Sequence, residues 1–211
     1  RVWRIGAGAA IDLGRNRLAT WALNEGYNEL MWIDSDIGFP IDAVDHLREL
    51  DLPIVSGAYP KKGQSAFSFH YSGPEVMLGQ QGGLLEVEYL AGGFLHTRRE
   101  IYESVLERFK LPLCNRLFHD AIYPFFLPQI IPFRDEHWYL PEDYAFCHRV
   151  KECGYKLMLD TRIWGRDQQQ MNLVDDANRN VLGDDQERWL FDRLTRSTAR
   201  WKVQIGRASC R

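Results

Sequence analysis

The sequence has few of the features that mark secreted, disulfide-bonded or nucleic-acid-binding proteins. Its 211 residues include four cysteines with no CxxC pair among them, at Cys114, Cys147, Cys153 and Cys210. This spacing indicates neither a disulfide framework nor a thiolate metal site. A formal net charge of -3 provides no basic excess for a nucleic-acid backbone. We therefore expect a protein of a reducing, cytoplasmic compartment that does not bind nucleic acid.

Long apolar runs are also missing. No stretch approaches the roughly 20 apolar residues of a membrane-spanning helix, so we expect no transmembrane segment. Residues 1–10 lack the basic region and apolar run of a signal peptide. The first residue is Arg1 rather than methionine, from which we expect a chain that is truncated at its N-terminus.

Apolar patterning divides most of the chain into alternating helices and strands. Helical spacing occurs in residues 11–26, 40–50, 99–109 and 141–154, and short apolar strands occur in residues 28–33, 52–59, 84–98 and 155–160. Gly26 and Gly154 suit the left-handed conformation that follows a helix. The alternation predicts an α/β fold whose mostly parallel sheet is flanked by helices.

Two acids stand where one predicted strand leaves the core. The apolar run LMWI is followed by Asp34, Ser35 and Asp36. Ligands of open α/β sheets bind beyond the carboxyl ends of the strands, and a hard divalent cation takes oxygen ligands. The two carboxylates are therefore candidate metal ligands. The alternative is a polar turn before the helix that follows Pro40.

A second acidic pair, Glu142 and Asp143, opens the helix that follows Pro141. A carboxylate within hydrogen-bond reach of a hydroxyl can act as a general base, which makes this pair a candidate catalytic site. The structural alternative is that acids in the first turn of a helix interact favourably with its dipole.

Several segments together resemble the GT-A-fold glycosyltransferases of the family-2-like type. They are GRNRLATWAL, LMWIDSDIGFPIDAVDHL, PIVSGAYPKK, AGGFLHTRREIY and YLPEDYAFCHRVKECGYKLMLDTRIW, within residues 6–164. The resemblance implies transfer of a sugar from a nucleotide-diphosphate donor to the hydroxyl of an unknown acceptor. It further implies Mn²⁺ or Mg²⁺ held by Asp34 and Asp36, and Asp143 as the catalytic base with Glu142 beside it.

The same resemblance implies a donor-binding set of seven residues: Arg15, Asn16, Asp34, Ser35, Asp36, Gly92 and Gly93. Arg15 would pair with a phosphate of the donor, and the two glycines would let the backbone approach a sugar or an acceptor closely. The alternatives are a solvated helix residue at Arg15 and a strand bulge at Gly92 and Gly93.

The resemblance stops near Trp164. The relatives carry a histidine after their last strand, whereas no histidine follows His148 here. From about residue 165 the sequence resembles a fragment of the alkaline phosphatase D family, and we predict a short helix near residues 186–196. The last residues, IGRASCR, resemble a translated sequencing adapter. We therefore predict a transferase core at 1–164 and an unrelated, chimeric tail at 165–211, as in an assembly-derived metagenomic reading frame. The tail is expected to make few specific contacts with the core.

Two rival interpretations remain open on the sequence. The lost histidine and the expected truncation favour an inactive nucleotide-sugar-binding remnant. A phosphatase of the haloacid dehalogenase type would use the first aspartate of its DxD motif as a nucleophile, but it leaves the acids at Glu142 and Asp143 unexplained.

Overall fold

The protein is described here from a computed structural model that covers residues 2–5, 10–34, 37–61, 66–164, 166–167 and 201–206. Four α-helices lie in this part of the chain: α1 (Ile11–Asn24), α2 (Ala43–Glu49), α3 (Arg99–Phe109) and α4 (Glu142–Glu152). The strands are β1 (Val2–Ile5), β2 (Glu29–Asp34), β3 (Ile37–Gly38), β4 (Ile54–Ala58), β5 (Phe69–His70), β6 (Leu84–Val87), β7 (Tyr89–Leu90), β8 (Phe94–Arg98), β9 (Gln129–Phe133), β10 (Glu136–Leu140), β11 (Leu157–Trp164), β12 (Arg166–Asp167) and β13 (Trp201–Gly206).

The four helices predicted within residues 11–154 are all present, and their ends follow local signals. Gly26 has a φ of 74° after α1, and Gly154 has a φ of 89° after α4, the left-handed backbone that glycine adopts without strain. Helix α2 begins at Ala43 rather than at Pro40, because residues 41–42 form a turn in which the Ala43 N–H bonds to the Pro40 carbonyl at 3.0 Å. No described helix is long and apolar enough to cross a membrane.

The central sheet is mixed rather than mostly parallel. Its seven strands lie in the order β1-β13-β2-β8-β4-β11-β6. The pairs β1/β13, β13/β2 and β4/β11 are parallel, whereas β2/β8, β8/β4 and β11/β6 are antiparallel. The α/β class is confirmed, but the mostly parallel sheet of the prediction is wrong. A return helix between neighbouring strands would keep them parallel, and the described chain between β4 and β8 contains no α-helix, so β8 enters from the opposite end.

Two apolar cores fill the two faces of this sheet. The larger face is covered by α1, α3 and α4 and includes Trp32, Tyr102, Phe126 and Phe146. The smaller face is covered by α2 and includes Met31, Ile33, Val44, Leu47 and Val55. Strand β2 shows the expected alternation, because Trp32 faces one core while Met31 and Ile33 face the other.

Strand β13 joins the part of the chain after residue 164 to the sheet. It runs parallel to β2, with Trp201 opposite Glu29 and Gly206 opposite Asp34. It thereby pairs with backbone N–H and C=O groups of β2 that would be unpaired if β2 were an edge strand. The expectation that the tail makes few specific contacts is wrong for this strand. The predicted helix near residues 186–196 lies outside the described residues. The division into a 1–164 core and an unrelated 165–211 tail stays a prediction.

Candidate functional site

One edge of the sheet gathers most of the described candidate residues. Strand β2 ends at Asp34, and the turn before β8 places Gly92 and Gly93 beside it. Helix α4 begins at the same edge with Glu142 and Asp143, and Arg15 reaches the edge from α1. We call Arg15, Asp34, Glu142 and Asp143 the acid cleft.

Arg15 is the buried centre of the acid cleft, with only 1% of its surface exposed. Its Nη1 donates to the Gly92 carbonyl at 2.8 Å, and its Nη2 donates to Asp34 Oδ1 at 3.1 Å. Its Nε lies 3.7 Å from Glu142 Oε1 and has no hydrogen-bond partner. Burial lowers the pKa of Arg15, but the carboxylates of Asp34, Glu142 and Asp143 outweigh burial and raise it. The solvated alternative for Arg15 is therefore wrong, and the residue holds the acids in place.

Gly92 and Gly93 are positions of close backbone approach. A Cβ on Gly92 would lie 2.4 Å from Arg15 Nη1, and one on Gly93 would lie 2.6 Å from the Tyr59 hydroxyl oxygen. The Gly93 N–H donates to that hydroxyl at 2.8 Å, and the Gly93 carbonyl accepts from the Asp34 N–H at 2.8 Å. A side chain at either position would displace the groups that order the cleft.

Asp143 and Glu142 are carboxyl groups largely withdrawn from water. Asp143 accepts from the N–H of Gly92 at 3.2 Å and from that of Tyr144 at 2.7 Å. Burial raises the pKa of Asp143, and Asp34 adds to the rise, against opposing effects from Arg15 and the two N–H donors. Burial also raises the pKa of Glu142, with Asp143 as the second cause. The pair therefore holds a proton at higher pH than two exposed carboxyl groups would.

The remaining predicted site residues lie elsewhere or outside the described chain. Asn16 is buried and accepts from the Phe126 N–H at 2.8 Å, so it anchors the segment that covers α1. Ser35 and Asp36 lie outside the described residues, and the metal pair of Asp34 and Asp36 stays a prediction. Among the described residues no group of three or more His, Cys, Asp or Glu could by itself hold a metal ion.

A cavity of about 480 Å³ adjoins the acid cleft, and Asp143 belongs to both. Phe69, His70, Trp138 and Tyr144 line it, and Lys61 also lines it with an exposed side chain. We call it the aromatic cavity. The sequence analysis did not identify Trp138 or Tyr59 as site residues. Tyr59 follows β4 at the same edge as Asp34, so the rule that selected Asp34 would also have found it.

Comparison with known proteins connects part of the chain with a phosphatase family. The family model described as PhoD-like phosphatase matches residues 131–208, which is less than half of the chain. No curated protein matches. A solved structure, the crystal structure of A197 from STIV, is 16% identical with a TM-score of 0.44, over 74% of this chain and 66% of that one. A similarity of this size identifies neither fold nor function, and the chain spans less than two thirds of that protein.

The phosphatase family match corrects the glycosyltransferase assignment. The phosphatase match begins at residue 131, not at 165, and so includes Glu142, Asp143 and the whole of α4. These residues were assigned to the transferase core by the sequence resemblance. The predictions of a GT-A family, of glycosyltransfer activity and of a nucleotide-sugar donor with its acceptor are therefore wrong. The alternative of an inactive nucleotide-sugar-binding remnant is wrong for the same reason. The physical reason is that acids at a strand end and at a helix start serve many chemistries and do not specify one.

Proposed function

We propose that this chain hydrolyses phosphate esters and that the acid cleft is its reacting site. The observation that carries the proposal is the PhoD-like phosphatase match at residues 131–208, because that segment contributes Glu142 and Asp143 to the cleft. The cleft gives the proposal a chemical basis: it combines partly buried carboxyl groups with an adjoining aromatic cavity that has room for an organic group.

The charge of the acid cleft favours a cation together with the phosphate. Three carboxyl groups surround one guanidinium group, so with all the acids ionised a bare phosphate would meet a net negative cleft. Carboxylate oxygens suit a hard divalent cation such as Mn²⁺ or Mg²⁺, which can be held by one or two carboxylates and the phosphate itself. Asp34 would hold the ion, with Asp36 as the predicted second ligand. Such an ion would neutralise charge on the phosphate.

The raised pKa values of Glu142 and Asp143 suit proton transfer during hydrolysis. In the proposed step, the oxygen of a water molecule bonds to phosphorus and the bond between phosphorus and the ester oxygen breaks. A protonated carboxyl group of the pair gives its proton to the departing oxygen, which leaves as an alcohol. A proton of the attacking water returns to the pair, so the site ends in its starting state.

The test is phosphate release by the full chain from p-nitrophenyl phosphate, with Mn²⁺, with Mg²⁺ and with chelator. We expect release that depends on the cation and that falls by about 10²–10⁴-fold in Asp143→Asn. A matched control is Glu152→Gln, at the other end of α4, where the carboxylate forms an exposed 3.9 Å ion pair with Arg108.

Two results would contradict the proposal. One is that the folded chain releases no phosphate with either cation. The other is that Asp143→Asn and Glu152→Gln release phosphate at the same rate, which would place the reacting groups elsewhere.

A further inference from the structure

We propose that the aromatic cavity binds the alcohol part of the substrate and that this part carries a flat aromatic ring, so that the preferred esters are aryl phosphates. The proposal rests on the proposed phosphatase activity for the phosphate group. It adds the chemical class of the group attached to that phosphate.

The position of Asp143 decides which part of the substrate enters the cavity. Asp143 belongs to the acid cleft through Gly92 and also lines the aromatic cavity. A carboxyl group that protonates the departing ester oxygen must lie within hydrogen-bond reach of that oxygen. The alcohol therefore extends from Asp143 to the cavity side, while the phosphate stays with Asp34. The volume of about 480 Å³ lies within the range of small-molecule sites.

The lining residues His70, Trp138 and Tyr144 pack against one another and against the rings of Tyr89 and Phe133. The ring of Trp138 lies 5.2 Å from that of Tyr89, 5.4 Å from that of His70 and 5.1 Å from that of Phe133. Tyr144 stacks on Tyr89 with ring centroids 4.9 Å apart. Because these rings fix one another, Trp138 and Tyr144 present their remaining surfaces without a further loss of side-chain freedom. Aromatic surfaces held in this way favour a flat ring over a flexible alkyl chain.

The hairpin of β9 and β10 provides a matched control. Trp138 and Tyr139 are neighbours on β10, and successive side chains of a strand point to opposite faces. Trp138 is half-buried in the cavity wall, whereas Tyr139 is 61% exposed and lies opposite Ile130. Replacement of Tyr139 therefore changes the same strand without changing the cavity.

The experiment measures binding of two phosphonates to the full chain by calorimetry in the presence of Mn²⁺. Benzylphosphonate carries a methylene in place of the ester oxygen of phenyl phosphate, and n-heptylphosphonate has the same number of carbon atoms without a ring. We expect benzylphosphonate to bind about tenfold more tightly. Trp138→Leu should remove this preference and leave the Kd of heptylphosphonate within about twofold, while Tyr139→Leu should keep the preference.

A second variant and a second measurement keep the outcomes distinct. If Trp138→Leu does not fold, Phe69→Leu, which changes another ring of the cavity, decides the question. Equal binding of the two phosphonates, or a preference that survives both variants, would overturn the proposal. A preference without release of phosphate from phenyl phosphate would contradict only the phosphatase activity. Phosphate release without a preference for benzylphosphonate would contradict only the assignment of the aromatic cavity to an aryl group.

Discussion

The two faces of the seven-stranded sheet are held by different interactions. On the face of α1, α3 and α4, large rings pack on one another: Phe146 lies 4.4 Å from Phe126 and 5.3 Å from Tyr102 between ring centroids. On the face of α2, apolar packing is supplemented at two places by carboxylates that bind cationic side chains. The comparison teaches that the aromatic packing of the first face depends on shape, whereas the docking of α2 on the second face also depends on the protonation of its carboxylates.

The two carboxylates of the second face tie α2 to the sheet. Glu29 accepts from Arg48 at 2.6 Å and lies 3.0 Å from His96 Nε2. Asp160, which is fully buried, lies 2.8 Å from His46 Nε2 and accepts from Arg162 at 2.7 Å. His46 and Arg48 belong to α2, so both contacts act on its docking.

The largest effect is expected on the aromatic face. Phe146→Ala removes a ring that is fully buried and should lower the free energy of unfolding by about 3–5 kcal/mol, since the rigid neighbours can only partly fill the cavity. Urea unfolding followed by circular dichroism measures the change. Phe118→Ala, at a ring that is 79% exposed, is the control and should change stability by less than about 0.5 kcal/mol.

A smaller effect, which depends on pH, is expected on the α2 face. Glu29→Gln removes the carboxylate that binds both Arg48 and the buried His96 and should lower the free energy of unfolding by about 1–3 kcal/mol near neutral pH. Burial by itself would raise the pKa of Glu29, but hydrogen bonds from His96 and Arg48 lower it to about 2 from 4.5. The stabilisation is therefore fully present above pH 4.5 and is lost as the pH falls towards 2.

The same urea measurement at several pH values tests the contrast between the faces. The difference between wild type and Glu29→Gln should shrink from pH 4.5 down to about 2, whereas the cost of Phe146→Ala should stay constant. If both costs follow pH in parallel, the two faces are not held by distinct interactions.

The smallest effect on stability is expected in the acid cleft, where the substitution should stabilise the fold at neutral pH rather than destabilise it. The pKa of Glu142 is raised by burial and then by Asp143, so its ionised form is less stable in the folded chain than in the unfolded one. Glu142→Gln should therefore keep or increase stability at neutral pH, by up to about 1 kcal/mol, while it lowers phosphate release. As the pH falls through the raised pKa of Glu142, the free energy of unfolding of wild type should rise relative to that of the variant. A clear loss of stability at neutral pH would instead assign Glu142 a structural role through Arg15.

The helices were predictable because their signals are local. Apolar spacing and the glycines at Gly26 and Gly154 depend only on neighbours along the chain, and between residues 11 and 154 the structure has helices where these signals predict them. Strand direction was not predictable in this way, since the reversal at β8 depends on a long connection without an α-helix. The burial of Arg15 was not predictable for the same reason. The sequence around a single charged residue on a helix does not show whether its side chain is solvated or buried beside three carboxyl groups.

The sequence by itself determined the α/β class, the helices and the presence of acids at a strand end and a helix start, because periodicity and capping act over a few residues. Only the tertiary structure decided the mixed sheet, the burial of Arg15 and the cavity that Asp143 shares with Trp138, because each depends on segments far apart in the chain that meet at one edge. Acid residues at such an edge do not specify a reaction. Neighbouring groups set their charge, their protons and the space beside them, and those neighbours are assembled only by folding.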